Sequence, residues 1–248
     1  METGYYPLLA TIDKFQERIR QHRPLAREAV LELKEDYRIV LTYSSNALEG
    51  NTLTLSETKA VLEEGITING RPNRDHLEAI GHSKAFDYMY SLIGSDRISE
   101  TDILMLHKLF YMAIEPEKAG VYRNCPVQIT GSEYPVPEHK EITKLMQKFV
   151  TEMYTVKSKL HPVEYAARIH RELVFIHPFI DGNGRVARLL MNLTLLRRGY
   201  PALIVPKILR QEYIRLLEQA HKDDRPFIGF VAEQLNEAQR DYIRQFHI

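Results

Sequence analysis

The residues best suited to chemistry lie close together in the segment HPFIDGNGRVAR, which runs from His177 to Arg188. At its centre, Gly182, Asn183 and Gly184 tolerate positive φ angles, and such a turn lets successive backbone N–H groups converge on one point. A strongly helical pattern follows, so the turn lies at a helix N-terminus, where the helix dipole also favours negative charge. The segment therefore predicts an anion-binding site.

Two arginines extend the predicted anion site. Arg185 and Arg188 are three residues apart, so both lie on one face of the first helical turn. Cations are unfavourable near a helix N-terminus, which indicates that these side chains serve a bound anion rather than the helix. Because guanidinium groups bind phosphate oxygens in a bidentate manner, a polyphosphate fits this arrangement.

A carboxylate and an imidazole complete a predicted reaction centre. Asp181 is a candidate magnesium ligand, because Mg²⁺ usually binds through one or two carboxylates together with substrate phosphates. His177 could take a proton from an attacking hydroxyl. Each feature alone has an ordinary structural explanation, as a surface turn or a helix cap. Their occurrence together within twelve residues predicts nucleotidyl or phosphoryl transfer.

The same segment resembles the signature H-x-F-x-[DE]-G-N-G-R-x-x-R of Fic-domain proteins and matches it at every specified position. Further similarity lies in LHKLF at 106–110, AGVYR at 119–123 and DRPF at 224–227. Residues 90–248 therefore resemble a Fic core domain, and residues 1–89 are predicted to form an N-terminal helical lobe.

The resemblance implies a protein adenylyltransferase, which transfers AMP from ATP to a Ser, Thr or Tyr hydroxyl of a target protein and releases pyrophosphate. On that assignment His177 is the general base and Asp181 positions Mg²⁺ on the α- and β-phosphates. Residues 182–184 form the anion hole, Arg185 assists the phosphates and Arg188 holds the γ-phosphate.

The resemblance also implies a flap and a base-binding helix. Tyr213 would contact the nucleotide base, and His221 stands where relatives often have asparagine, which bears on adenine selectivity. A flap edge could pair with an extended segment of the target by β-augmentation. The flap residues over the nucleotide would be Thr130, Gly131, Ser132 and Glu133.

A second motif lies upstream, where SNALEG at 45–50 matches the inhibitory-helix pattern [ST]-x-x-x-E-[GN] of Fic proteins. A carboxylate near a helix C-terminus is electrostatically unfavourable, so a cationic partner would explain Glu49, and Ser45 lies on the same helix face. The resemblance implies that Glu49 pairs with Arg188, takes the place of the γ-phosphate and inhibits the enzyme within its own chain. The resemblance thus implies the class II arrangement, with an N-terminal inhibitory helix.

Most of the segments that must position these residues show the periodicity of α-helices. Apolar residues recur every three or four positions along 27–48, and Thr54 with Glu57 predicts a capping box for the next helix. Strand alternation occurs only in PVQITGSEYPVP at 126–137, which predicts a small β-hairpin. The predicted fold is therefore all-α with a small β-hairpin flap. Further helices are expected at about 74–92, 99–113, 138–156, 162–176, 185–198, 207–221 and 226–246.

Composition limits the partners. The chain of 248 residues has 33 Lys+Arg and 33 Asp+Glu, so its zero formal charge excludes a global basic field for nucleic acid. No apolar run approaches the ~20 residues of a membrane span. The single Cys125 and an opening segment unlike a signal peptide predict a cytoplasmic protein. The expected partners are ATP, Mg²⁺, a target protein docked at the flap and, because relatives often dimerise, a second copy.

Two alternatives to AMP addition remain. Some relatives that carry the inhibitory glutamate remove AMP and use that residue to orient a water molecule, and such an enzyme needs the same His177, Asp181 and Glu49. The other alternative is a nucleotide-responsive binding module, which would not require a base at position 177.

Overall fold

The computed structural model describes residues 5–156 and 159–248. Within these residues the chain folds into ten α-helices joined by loops and three single turns of 3-10 helix. The helices are α1 (Tyr6–Gln21), α2 (Arg27–Leu48), α3 (Leu55–Glu63), α4 (Asn73–Ser91), α5 (Glu100–Tyr111), α6 (Ile142–Val156), α7 (Pro162–Ile176), α8 (Asn183–Leu196), α9 (Arg210–Gln219) and α10 (Arg225–Gln245).

The predicted capping box is confirmed at the start of α3. Thr54 Oγ1 accepts a hydrogen bond from Glu57 N–H at 3.2 Å, and the Glu57 carboxylate accepts one from Thr54 N–H at 2.7 Å. These reciprocal bonds satisfy backbone donors that have no partner within the helix. The predicted helix at 27–48 is also confirmed, whereas α1 is not among the predicted helices. It forms as an amphipathic helix whose Ile12 and Ile19 are fully buried.

The all-α prediction is confirmed, but the β-hairpin at 126–137 is wrong, because this fully described segment contains no strand. A single turn closes it instead: Ser132 N–H donates to Ile129 O at 3.1 Å, with Gly131 at φ 84°. The segment's three prolines provide no N–H donors, so a regular ladder cannot form along it. Residues 126–137 form a loop, called the flap below.

Two clusters of buried apolar side chains hold the helices together. Phe86 of α4 and Phe110 of α5 belong to the first, and Ile12 of α1 and Phe227 of α10 belong to the second. Helix α8 contributes to both clusters and is buried along nearly its whole length, which makes it the central helix. The functional turn at its N-terminus is therefore attached to a helix that is buried in both clusters.

The predicted division between residues 1–89 and 90–248 falls near the end of α4. That helix contributes Phe86 and Met89 to the same cluster as α5 and α8, so the two portions share a core. The division into a lobe and a core domain stays a prediction. Among the described residues, no helix combines the length and the apolar character needed to cross a membrane.

Candidate active site

The predicted anion site lies at the junction between α7 and α8. His177 follows the last residue of α7 in a left-handed conformation, with φ 50° and ψ 59°. Gly182, the N-cap of α8, has φ 81°, and a Cβ atom there would lie 2.8 Å from the Phe110 ring. Glycine is therefore required at this position by both the backbone conformation and the packing. The predicted turn at a helix N-terminus is confirmed.

His107 of α5 stabilises this junction through two hydrogen bonds and a ring contact. Its Nδ1 accepts a hydrogen bond from Gly120 N–H at 2.9 Å, so its Nε2 carries the proton and donates to Asp181 O at 3.2 Å. The His107 ring also stacks on Phe179, with 3.8 Å between ring centroids. These contacts explain how the LHKLF and AGVYR segments position the functional turn.

The Asn183 side chain braces the junction from within. Its Oδ1 accepts a hydrogen bond from Phe179 N–H at 2.9 Å, and its Nδ2 donates to Phe179 O at 2.9 Å. Both residues are buried. The side-chain amide is thus committed to the loop backbone, and any contact of Asn183 with an anion would use its own backbone N–H.

We expect Asn183→Ala to lower the free energy of unfolding by about 2–4 kcal/mol, because it leaves the buried N–H and C=O of Phe179 without partners. Urea unfolding followed by circular dichroism measures this loss. Asn124→Ala, at an exposed asparagine, is the control and should shift the midpoint little. Equal midpoints for the two variants would contradict the bracing role.

His177 lines a cleft of about 260 Å³. Its Nδ1 lies 3.3 Å from Val174 O, and because a carbonyl can only accept, Nδ1 carries the proton and Nε2 remains an acceptor. Burial lowers the pKa of His177 below its ordinary value, although the Val174 carbonyl and the charges of Glu49 and Asp181 oppose the shift. The imidazole is therefore neutral at pH 7 and can accept a proton.

Arg123 connects His177 to the flap. Its buried guanidinium donates through Nε to His177 O at 2.7 Å. The other two nitrogens donate to Cys125 O at 3.2 Å and to Pro137 O at 2.6 Å. Because these two carbonyls bracket the flap, one side chain fixes both flap ends relative to His177.

Arg188 is buried and its guanidinium makes four hydrogen bonds. Nε donates to Ser45 Oγ and Nη2 donates to Ser45 O, both at 2.9 Å. Nη2 also donates to Glu49 Oε1 at 2.7 Å, and Nη1 donates to the Tyr213 hydroxyl at 3.1 Å. The expected pairing of Glu49 with Arg188 is present, and Ser45 supports the same arginine.

Glu49 lies at the C-terminal end of α2, directly against the first turn of α8. A Cβ atom on Gly184 would overlap Glu49 Oε1, so glycine is what makes room for the carboxylate. Burial raises the pKa of Glu49, but Arg188, Arg185 and Arg210 outweigh it and lower the pKa below its ordinary value. The carboxylate is therefore charged at neutral pH. Its side chain is 37% exposed and reaches the cleft.

Tyr213 lies beneath Arg188, with only 6% of its surface exposed. Its hydroxyl accepts from Arg188 and donates to His170 Nε2 at 2.9 Å. Burial lowers the pKa of His170 to about 3, so this imidazole is neutral and can accept the bond. These contacts make Tyr213 a positioning residue for Arg188. Its predicted contact with a base stays a prediction, and the adjacent Ile214 is the more exposed side chain in the cleft.

Asp181 is held by two guanidinium groups. Its Oδ1 accepts from Arg185 Nη2 at 2.8 Å, and its Oδ2 accepts from Arg74 Nη2 at 2.6 Å. Both arginines also pair with Glu78, at 3.0 Å for Arg185 and 3.1 Å for Arg74. Arg185 is buried, with its guanidinium 4.4 Å from the centre of the Phe110 ring. A metal or a phosphate at Asp181 and Arg185 must therefore compete with these ion pairs.

The Asp181 carboxylate fits a metal ion that arrives with a nucleotide. It is 36% exposed and lies beside the N-terminus of α8. Across residues 5–156 and 159–248, no group of three or more His, Cys, Asp or Glu side chains is arranged to hold a metal. Mg²⁺ suits such a site, because it commonly binds through one or two carboxylates and completes its shell with phosphates and water.

The flap forms one wall of the cleft, and α9 forms the opposite wall. At the flap, Thr130, Gly131 and Glu133 are exposed and Ser132 is half-buried. His221, just after α9, lies between the rings of Phe175 and Tyr134. The predicted site residues that line this cleft are Glu49, Thr130, Ser132, His177, Gly184, Tyr213 and His221.

Comparison with known proteins identifies the family. Residues 97–195 match the Fic/DOC family. A solved structure of Fic-1 from C. elegans is 32% identical and superposes with a TM-score of 0.86, covering 97% of this chain and 72% of that one. The chain belongs to the Fic/DOC family.

Other Fic proteins agree with this assignment. A Fic domain containing signaling protein from Bacteroides thetaiotaomicron is 26% identical with a TM-score of 0.85, and the match covers 96% of this chain and 97% of that one. "Protein adenylyltransferase Fic" from Drosophila grimshawi is 40% identical over 211 residues, which are 84% of this chain and 43% of that protein. The chain thus spans less than half the length of this curated relative.

Several residues of this Fic site carry no local sequence signal. Arg74 and Glu78 are charged residues on a predicted helix, and only the fold brings them to Asp181 and Arg185, more than 100 positions away. Glu218 lines the cleft from α9, and it too is a charged residue of a predicted helix that no local motif marks. Arg123 lies in AGVYR, so the family resemblance marks the segment but not the contacts that this side chain makes.

Proposed function

We propose that this Fic chain transfers AMP from Mg²⁺-bound ATP to a hydroxyl side chain of a target protein, and that its own Glu49 restrains the reaction. The observation that carries the proposal is the placement of His177, of Gly184 in the first turn of α8 and of Glu49, which pairs with the buried Arg188, around one cleft. The similarity to a protein named adenylyltransferase supports AMP as the transferred group.

In the proposed reaction, His177 Nε2 takes the proton of the target hydroxyl as its oxygen attacks the α-phosphorus. The bond to the bridging oxygen breaks, pyrophosphate leaves, and AMP stays on the target. Backbone N–H groups of residues 182–184 hold phosphate oxygens, and Arg188 holds the γ-phosphate after Glu49 has released it. Mg²⁺, when bound at Asp181, would neutralise negative charge on the departing pyrophosphate.

The direct test is transfer of label from ATP to protein. Compared with lysate alone, we expect the chain to add label to lysate proteins from α-labelled ATP and to add none from γ-labelled ATP. Mass spectrometry should find one AMP on a Ser, Thr or Tyr side chain of each newly labelled protein. Labelling should be stronger with Glu49→Gly than with the native chain. Absence of α-label transfer by both proteins would overturn the proposed function.

We expect Asp181→Ala to reduce AMP transfer by about 10²-fold or more, because the site loses the carboxylate that would hold the charge-neutralising metal. Isothermal titration with a non-hydrolysable ATP analogue, in Mg²⁺ and in EDTA, adds a binding readout. Mg²⁺ should tighten binding to the native chain and not to Asp181→Ala. Asp36→Ala, which removes an exposed carboxylate elsewhere, is the control. Equal native activity in Mg²⁺ and in EDTA would contradict the metal assignment.

Removal of AMP is the second candidate function. Its support is the position of Glu49, which is partly exposed and lines the same cleft as His177. A water molecule held by that carboxylate would reach the phosphate at which His177 acts. Incubation with an AMP-modified protein tests for AMP removal. Release of AMP by the native chain and loss of that release in Glu49→Gly would establish this function.

A further inference from the structure

One carboxylate of α9 holds the tip of the flap. Ser132 Oγ donates to Glu218 at 2.9 Å, and Glu133 N–H donates to Glu218 Oε1 at 2.7 Å. Ser132 Oγ also accepts a hydrogen bond from Tyr134 N–H at 3.1 Å. Glu218 therefore organises three consecutive flap residues, which lie about 85 positions away in the sequence. The hydrogen bond from the Glu133 N–H to the Glu218 carboxylate is charge-assisted and short, as expected for a strong contact.

An aromatic stack holds the flap beside this carboxylate. The His221 ring lies between Phe175 of α7 at 3.7 Å and Tyr134 of the flap at 4.0 Å, and the ring planes are tilted by only 10° and 14°. Phe175 precedes His177 by two positions on the same helix end. The stack therefore connects the flap to the segment that carries the proposed base.

The flap has little internal structure of its own. Within residues 126–137, all of which the structure describes, one backbone–backbone hydrogen bond is present, from Ser132 N–H to Ile129 O. Arg123 fixes only the two ends. Ordering a loop costs conformational entropy at every residue, so a loop held at its ends alone samples many conformations. The contacts at the tip must supply the remaining order.

We propose that Glu218 is a positioning residue that holds the flap in the conformation on which an extended target segment docks. The inference rests on the AMP-transfer function proposed above. A flap that is already ordered does not pay its conformational entropy when the target binds, so Glu218 raises the affinity for the target. The flap would also cover the nucleotide, but the phosphates would bind at the N-terminus of α8, so ATP binding should depend on Glu218 less than target binding does.

Amide hydrogen exchange tests the flap contact directly, because Glu218 accepts the Glu133 amide proton itself. We expect exchange of the flap peptide to become about tenfold faster in Glu218→Ala, with the α7 and α8 peptides unchanged. Glu218→Gln keeps a carbonyl acceptor and should stay near the native rate. Glu212→Ala removes an exposed carboxylate from the same helix and is the matched control. Native flap exchange in Glu218→Ala would overturn the proposal.

The kinetic test separates target docking from nucleotide binding. Each variant is combined with Glu49→Gly, and labelling of the strongest acceptor band is measured against lysate concentration and against ATP concentration. We expect Glu218→Ala to raise the apparent KM for the acceptor about tenfold and the KM for ATP by less than about twofold, with Glu218→Gln restoring most of the loss. An unchanged acceptor KM, or an equal rise in both constants, would overturn the proposal.

The hydrogen exchange and kinetic experiments also distinguish failure of the Glu218 proposal from failure of the proposed AMP transfer. If Glu49→Gly labelled no protein at all, the proposed AMP transfer would fail, and the docking role of Glu218 would fail with it. The hydrogen exchange result would still decide whether Glu218 orders the flap.

Discussion

His177→Ala is expected to reduce AMP transfer by about 10²–10⁴-fold and to leave ATP binding nearly unchanged. In the proposed reaction the imidazole acts on the nucleophile, because its Nδ1 donates to Val174 O and its Nε2 is the acceptor that remains. In this reaction the phosphates would be held elsewhere, by the first turn of α8 and by Arg188. Single-turnover transfer from α-labelled ATP measures the rate, and calorimetry with a non-hydrolysable analogue measures binding, both in the Glu49→Gly background.

The chain offers a matched control for this prediction. His22 also ends a helix, and its Nδ1 likewise contacts the carbonyl of a preceding residue, Arg18, at 2.9 Å, but it lies outside the cleft. His22→Ala should therefore transfer AMP at the parent rate. If a folded His177→Ala protein did the same, the base assignment would be lost, and the site would act by orientation and charge alone.

The pH profile of transfer provides an independent check on the same residue. Burial lowers the pKa of His177 below 6.5, so the neutral form that can act as a base persists as the pH falls through that value. We expect the transfer rate to stay level from pH 8 to about 6.5 and to decline only at lower pH. An acid limb with its midpoint above 6.5 would show that another group controls the reaction.

Local sequence signals predicted the centre of the site because they act over a few residues. Two glycines around Asn183 favour left-handed conformations, and the helical pattern after them places the turn at an N-terminus. The structure has this turn, with Gly182 as the N-cap. The pairing of Glu49 with Arg188 joins positions 139 residues apart and was predictable only through the family motif.

The remaining features depend on tertiary packing. The alternation of Val127 and Ile129 favours a strand, but a strand needs a partner strand to pair with. The prolines of residues 126–137 also remove backbone N–H donors that such pairing would use. Tyr213 has an aromatic ring suited to stacking on a base. The helical periodicity of α9 places this side chain on the buried face, where its hydroxyl accepts a hydrogen bond from Arg188. Glu218 contacts the flap only because α9 and the flap face each other across the cleft. Propensity and periodicity contain no information on such long-range pairs.

Glu49→Gly is expected to raise AMP transfer by about 10²-fold. While Glu49 occupies Arg188, a γ-phosphate would lack that ligand, and the α-phosphate would be misplaced and lose the alignment that in-line attack requires. The structure explains why the variant should gain activity rather than unfold. The bonds of Arg188 to Ser45 and Tyr213 do not involve Glu49, so the guanidinium should stay in place in the variant and leave Nη2 available to a γ-phosphate. Glu64→Gly, at the C-terminal end of α3, is the matched control and should transfer AMP at the native rate.

Adding Arg188→Ala to Glu49→Gly separates release of this arginine from a general loosening of the site. If Glu49 acts by occupying Arg188, its removal cannot help once the arginine is gone, and the double variant should label nothing. Continued labelling by the double variant would mean that Glu49 restrains the chain by another route. A folded Glu49→Gly protein that binds ATP but labels no more than the native chain would exclude restraint by Glu49 altogether. If that protein had instead lost a native ability to release AMP, Glu49 would be a water-orienting catalytic residue, and the Arg188 pair would hold its carboxylate at the phosphate rather than block the site.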